Sequence, residues 1–160
     1  MDEQAIRELL EQVKDPEIPA LSVLDMGIVR EIEFGNGGVT VKITPTYSGC
    51  PAMKMITDDI VSVLSLAGIS EPKVEQVLHP PWTTDWLTDK GRQHLKESGI
   101  APPCTKPDEE LVAFPKLPSV ACPFCDSKNT ERKSEFGSTA CKALYFCNAC
   151  HQPFDYFKAL

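Results

Sequence analysis

Cys122-Pro123-Phe124-Cys125 and Cys147-Asn148-Ala149-Cys150 are two C-x2-C pairs with twenty-one residues between them. Each pair can sit on a tight knuckle that aims two sulfurs at one point. Two knuckles on neighbouring hairpins make a tetrahedral four-thiolate site, the geometry Zn2+ takes in closed structural centres. Two redox C-x-x-C motifs are the competing reading, but neither pair opens a helix after a strand. Such a closed site holds a module together around metal. It does not by itself reveal an activity.

Cys50 stands apart, behind Gly49 and before Pro51, at the expected N-cap of a helix. The helix dipole and free backbone N–H groups favour a thiolate there, the setting of a nucleophile or a soft-metal ligand. A small buried cap residue with no chemistry is the plainer reading. Asp15, Glu17 and Asp25 supply carboxylates upstream. They could ligate a metal or accept hydrogen bonds from the Cys50 loop, although helix termination and solvated acids also explain them. Cys141 reads as core, and Cys104 as incidental. His79 and His94 lack partners at catalytic or metal spacing, His151 adjoins Cys150 but would be a poor extra ligand for a site filled by four sulfurs, and Trp82 and Trp86 read as a segment packed over a sheet. No P-loop, dinucleotide fingerprint, nucleophile elbow or H-E-x-x-H motif is present.

The elements that must position these residues follow from periodicity. Asp2 caps a first helix with Ala5, Ile6, Leu9, Leu10 and Val13 on one face, and Asp15-Pro16 should stop it. Ile28–Phe34 reads as a strand, residues 35–38 as a turn, and Val39, Val41 and Ile43 as the inward face of a second strand. A helix should start at Pro51, carry an apolar stripe of Met53, Ile56, Ile60, Val63, Leu64 and Ala67, and end at Gly68. Lys73–Leu78 reads as a third strand, and Asp89–Ser98 as a short polar helix. The expectation is an α+β fold: a small α-β-β-α-β domain, with helices on one face of a three-stranded sheet, plus a C-terminal zinc-ribbon module. Residues 1–98 form the domain, 99–120 a Pro-rich linker and 121–160 the ribbon.

The chain has 160 residues, 42% of them hydrophobic and 24% charged, as in ordinary globular proteins. Its N-terminus, Met1-Asp2-Glu3-Gln4, carries no apolar stretch, so no signal peptide is expected. The longest apolar-rich run, Ile60 to Ile69, is short of the ~20 residues a membrane span needs, so no membrane partner is expected. Seven cysteines with four in metal spacing suit a reducing cytoplasm. The net charge is −7, all of it in residues 1–100, where sixteen acids face nine bases. Residues 101–160 carry seven of each, so the ribbon lacks the basic surface that phosphate contacts require, and no nucleic acid is expected.

The runs Asp15-Pro16-Glu17-Ile18-Pro19, Ser22-Val23-Leu24-Asp25-Met26-Gly27-Ile28-Val29 and Thr46-Tyr47-Ser48-Gly49-Cys50-Pro51-Ala52 resemble the SufT-like family of iron–sulfur assembly factors. With Pro81–Trp86, Phe136–Lys142 and the terminal C-x2-C followed by Pro153-Phe154, nearly the whole chain resembles the accessory-protein family of the bacterial phenylacetyl-CoA epoxidase system. The resemblance implies a place in aerobic phenylacetate degradation, as a maturation factor and not as an enzyme. It implies that Cys50, with Asp15 and Glu17 as neighbours, assists iron–sulfur cluster insertion into a partner. The implied partners are an iron–sulfur flavin reductase and a di-iron oxygenase, with iron–sulfur carrier proteins as further candidates. A homo-oligomer is left open. The implied cofactors are structural Zn2+ on Cys122, Cys125, Cys147 and Cys150, and transient iron or an iron–sulfur cluster. A thiolate is a soft ligand, and few ligands on one protein give the weak hold that transfer needs. Three alternatives stand beside this: a scaffold component of the oxygenase, a thiol enzyme lacking a positioned base, and the nucleic-acid ribbon set aside on charge.

Overall fold

The computed structural model describes residues 1–35, 38–104 and 119–159. Asn36 and Gly37 of the expected turn, and the Asp108–Glu110 run of the expected linker, lie outside the described residues. The chain divides into two compact units, Met1–Gly91 and Arg92–Leu160.

In the first unit, Asp2 caps α1 (Glu3–Leu10) as its sequence requires, its carboxylate accepting the Ala5 N–H at 2.9 Å. The helix ends at Leu10, earlier than the Asp15-Pro16 stop. The chain leaves it through tight bonds, Gln12 N–H to Leu9 O and Val13 N–H to Leu10 O, and then pairs with the segment that follows. Asp15 N–H donates to Leu21 O and Val23 N–H to Val13 O. These pairings hold Val13 and Asp15 extended, before proline is reached.

β1 (Val29–Phe34) runs antiparallel to β2 (Val39–Ile43), with a bulge between Val29 and Glu31. β2 runs parallel to β3 (Lys73–Gln76), so the intervening α2 (Ala52–Leu66) is a crossover helix. The sheet order is β1-β2-β3. Val39, Val41 and Ile43 are buried, as their alternation demands. Met53, Ile56, Ile60 and Leu64 of α2 are buried too, while Val63 and Ala67 are half-buried at the edge of the stripe. α1 packs against α2, and α2 against β3. Each fully buried Ile or Leu here stabilises by about 1.5–3 kcal/mol. Gly68, at φ +89°, follows the C-cap Ala67 and ends the helix. A short 3-10 turn, Thr84–Trp86, leads to α3 (Asp89–Glu97), within which the two units meet in sequence.

The second unit is a four-stranded sheet of β4 (Ile100–Ala101), β5 (Thr130–Ser134), β6 (Lys142–Cys147) and β7 (Pro153–Phe157), in the order β4-β7-β6-β5. β5, β6 and β7 are antiparallel, and β4 joins parallel to β7 through Ile100 beside Asp155 and Ala101 beside Tyr156. The start of the expected linker is therefore a strand of this sheet. Its core holds Tyr145 stacked 5.8 Å from Phe154 and edge-on 5.4 Å from Tyr156, with Ala101, Val120 and Ala143 around them.

Candidate functional site

The two cysteine pairs occupy matching turns in the second unit. Asp126 N–H donates to Cys122 O at 2.9 Å, and His151 N–H donates to Cys147 O at 2.9 Å. Asp126 and His151, each just past its second cysteine, take left-handed φ values of 60° and 59°. The same bond and the same backbone turn recur in both, and both turns aim two sulfurs inward. The Cys122 and Cys150 sulfurs are 3.7 Å apart, those of Cys125 and Cys147 3.6 Å, and all four lie within 4.8 Å of one another. Zn–S bonds of about 2.3 Å set the edge of a regular tetrahedron at roughly 3.8 Å, so the donor set fits zinc.

The surroundings of the sulfurs differ. The N–H groups of Cys150 and Ala149 lower the Cys147 thiol to about 7, since both donate toward its sulfur and favour the thiolate. Burial pushes the Cys150 thiol up to about 12. Metal is thus the natural counter-charge for a cluster in which four thiolates could not otherwise share one point. His151 belongs to the turn, with its ring tilted 6.4 Å from that of Phe146. Cys141 is buried, its sulfur 3.0 Å from Thr139 Oγ1, in keeping with a core residue.

Cys50 lies in the first unit, on the loop that joins β2 to α2. Pro51, not Cys50, is the N-cap of α2, with φ −67° and ψ −23°. Cys50 stands one residue outside. Its N–H donates to Tyr47 O at 3.3 Å, and its carbonyl accepts the Met53 N–H at 3.2 Å. Proline already takes helical angles but has no N–H to donate, so the loop closes on Cys50 before the helix ladder begins. Cys50 is a free, half-buried cysteine at the wall of an open cleft of about 620 Å³. Ser48, Lys54, Thr57, Asp58 and Gln76 supply its polar wall, and Pro45, Met53 and Leu78 its apolar wall. Lys54 Nζ bonds Asp58 Oδ2 at 2.8 Å across one helical turn, and that bond raises the Lys54 pKa. The helical members were legible as positions four, seven and eight beyond Cys50. Gln76 and Leu78 were not, because they arrive through the parallel pairing of β3.

The upstream carboxylates have other partners. Asp15 is buried, and its Oδ1 accepts the N–H groups of Glu17 at 2.7 Å and Ile18 at 2.8 Å. Asp25 Oδ2 accepts the Ser22 N–H at 3.1 Å, while Ser22 Oγ accepts the Asp25 N–H at 3.0 Å. Asp15 and Glu17 are not among the walls of the Cys50 cleft. Trp82 is buried, as a packed segment requires, and Arg30 lies 3.6 Å over the Trp86 ring. Among the described residues, no helix is long and apolar enough to cross a membrane.

Residues 3–78 match the family model of iron–sulfur cluster assembly proteins, and residues 106–158 that of the PaaD zinc beta ribbon domain. A protein of Escherichia coli (strain K12), named for its place in a 1,2-phenylacetyl-CoA epoxidase, is 45% identical over 152 residues, covering 95% of this chain and 90% of that one. An Fe-S protein maturation auxiliary factor of Porphyromonas gingivalis is 34% identical over 58% of this chain and 90% of its own. Among solved structures, a domain of unknown function, DUF59, from Bacillus anthracis superposes with a TM-score of 0.54 at 28% identity, over 58% of this chain and 90% of its own. Cys50 lies within the residues matched by the iron–sulfur assembly model, and the four-cysteine ribbon within those matched by the zinc-ribbon model. The chain belongs to the PaaD-like family of phenylacetyl-CoA epoxidase subunits, with an iron–sulfur cluster assembly domain ahead of a PaaD-type zinc ribbon.

Proposed function

We propose that this chain is a non-catalytic, cytoplasmic maturation factor of a phenylacetyl-CoA epoxidase system, and that it assists iron–sulfur cluster insertion into the partner reductase through Cys50. One observation carries the reading. The chain separates these cysteines by grouping: four sulfurs converge within 4.8 Å of one another, while Cys50 stands by itself at the wall of an open cleft. The converged set suits a permanent metal and the single thiol a passing one. The match of residues 3–78 to the iron–sulfur cluster assembly model, and relatives named as maturation factors that align with just over half of the chain, support the same division.

In this reading Cys122, Cys125, Cys147 and Cys150 hold zinc. Bound zinc supplies a cross-link between the two turns and no reaction. Cys50 is the thiolate that meets iron, which is cargo and not a resident cofactor. Asp15 and Glu17 enter as a shaped turn, since Asp15 gives Oδ1 to two backbone N–H groups. The partners are the iron–sulfur flavin reductase and the di-iron oxygenase.

The test is the iron content of the reductase and of the oxygenase, each purified from cells with and without this chain. A reductase depleted in iron only when the chain is missing, and not restored by Cys50→Ser, supports the reading. Full iron in both partners together with failed epoxidation overturns it in favour of a scaffold role.

A further inference from the structure

β3 is the end strand of its sheet, and its far edge is bare. Val77 N–H donates to Ile43 O at 2.8 Å, so the main-chain groups of Lys73, Glu75 and Val77 turn toward β2. Those of Val74 and Gln76 turn away, and among the described residues they have no hydrogen-bond partner on that edge. The face of the sheet away from Val41 and Ile43 is charged. Glu31, Lys42 and Glu75 stand in one cross-strand row, and Glu33, Thr40 and Lys73 in the next. Lys42 Nζ bonds Glu31 at 3.0 Å and Glu33 at 2.5 Å, both on β1. Among the described residues, exposed Glu75 is then left without a cation and exposed Lys73 without a carboxylate.

An unpaired strand edge is a template for another strand, and a lone lysine on it keeps a second copy away. Here the lysine is matched by a glutamate two residues on, and register decides the outcome. A twofold axis pairs an edge with itself, antiparallel. Centred on Val74, the two copies exchange Val74 N–H to Val74 O bonds, and each Gln76 N–H reaches the Pro72 O of the other. Lys73 then stands opposite Glu75 of the second copy, twice, in the closely spaced pairs where side chains meet. A centre on Lys73 would set lysine against lysine, and one on Glu75 glutamate against glutamate, and like charges directly opposite are unfavourable. Only the Val74 centre matches opposite charges.

We propose that this edge is the contact of a homodimer, in which β3 of two copies pairs antiparallel about Val74 and two Lys73–Glu75 ion pairs fix the register. Two three-stranded sheets become one. The axis stands perpendicular to the sheet, so α2 of both copies, and both clefts walled by Cys50 and Gln76, lie on the same side of it. The contact does not depend on what Cys50 binds.

The experiment is sedimentation equilibrium of the full, zinc-loaded chain at low ionic strength. Five chains are compared: unaltered, Lys73→Glu, Glu75→Lys, the double exchange Lys73→Glu with Glu75→Lys, and Cys50→Ser. The unaltered chain and Cys50→Ser should form dimers equally well. Each single reversal sets two like-charged pairs across the seam and should raise the dimer Kd roughly tenfold or more. The double exchange restores two opposite pairs and should recover the dimer. Both side chains are exposed, so melting temperatures should hold, and rescue by the double exchange separates a lost contact from a lost fold. A monomer at every concentration overturns the proposal and leaves Lys73 as a guard of the edge. A dimer indifferent to the single reversals, or not recovered by the double exchange, places the contact elsewhere and overturns it too. Neither result touches the reading of Cys50, which is tested by iron content.

Discussion

The carbonyl oxygen of Trp86 occupies the space where a side chain on Gly27 would begin: a Cβ there would lie 2.1 Å from it. Gly27 also holds φ +68°, in the left-handed region. The loop before β1 and the Trp segment after β3 thus meet backbone to backbone, and only glycine permits the approach. Gly27→Ala should cost roughly 3 kcal/mol or more, about 1–2 from the backbone angle and the rest from the clash. Gly68→Ala is the control. It shares the positive φ but meets open space, so it should cost about 1 kcal/mol. Urea denaturation followed by tryptophan fluorescence measures both, and equal losses would show that the close approach is not what Gly27 provides.

The same junction is sealed by a side chain. Trp82, 4% exposed, donates its indole N–H to Met26 O at 2.8 Å. Trp82→Phe keeps a ring but orphans that carbonyl, and should cost about 1–2 kcal/mol. Trp82→Ala adds a cavity and should cost about 3–5 kcal/mol. Thermal unfolding of the two variants would show whether the hydrogen bond or the ring dominates.

Zinc and iron chemistry should separate by mutation. Cys122→Ser removes one of four clustered sulfurs and should abolish zinc retention and the ribbon fold together, because metal binding and folding are one free energy. Cys50→Ser should leave zinc at one per chain. Both tryptophans lie in Met1–Gly91, so tryptophan fluorescence should report an intact first unit in each variant. Elemental analysis measures the zinc. Full zinc in Cys122→Ser would remove it from the ligand set.

The ribbon should also lose stability at high pH. Tyr156 is buried in its core, and its hydroxyl accepts the Cys104 N–H at 3.3 Å. Burial raises its phenol from 10.0 to about 12. The folded state therefore favours the protonated form. That contribution is complete below pH 10 and is lost as pH rises through about 12. Phenolate absorbance should show a late-titrating tyrosine, and Tyr156→Phe should flatten the fall in ribbon stability over this window. Titration of all three tyrosines near 10 would contradict the assignment.

What could be read from the chain directly was whatever depends on near neighbours. Asp2 capping Ala5, the alternation of Val39, Val41 and Ile43, and the burial of Met53, Ile56, Ile60 and Leu64 all follow from local geometry. The convergence of Cys122, Cys125, Cys147 and Cys150 was legible for the same reason, since each C-x2-C turn orients its own two sulfurs. The early end of α1 was not, because it depends on Val13 and Asp15 finding backbone partners at Val23 and Leu21. Ile100 and Ala101 lie in a stretch whose prolines read as linker, yet β7 offers them a strand to join more than fifty residues later.

The amino-acid sequence by itself determined the two-part plan and the convergence of four cysteine sulfurs, because spacing along a helix, strand or turn carries that information; it put Cys50 at the N-cap of α2, a place that Pro51 holds. Only the tertiary structure decided what surrounds Cys50. The parallel pairing of β3 with β2 brings Gln76 and Leu78 to the cleft that Cys50 and the first turns of α2 line. The same folding ties Asp15 to the backbone N–H groups of its own turn. Contacts between distant segments are selected by packing and by the need to satisfy backbone polar groups, and neither leaves a periodic mark along the chain.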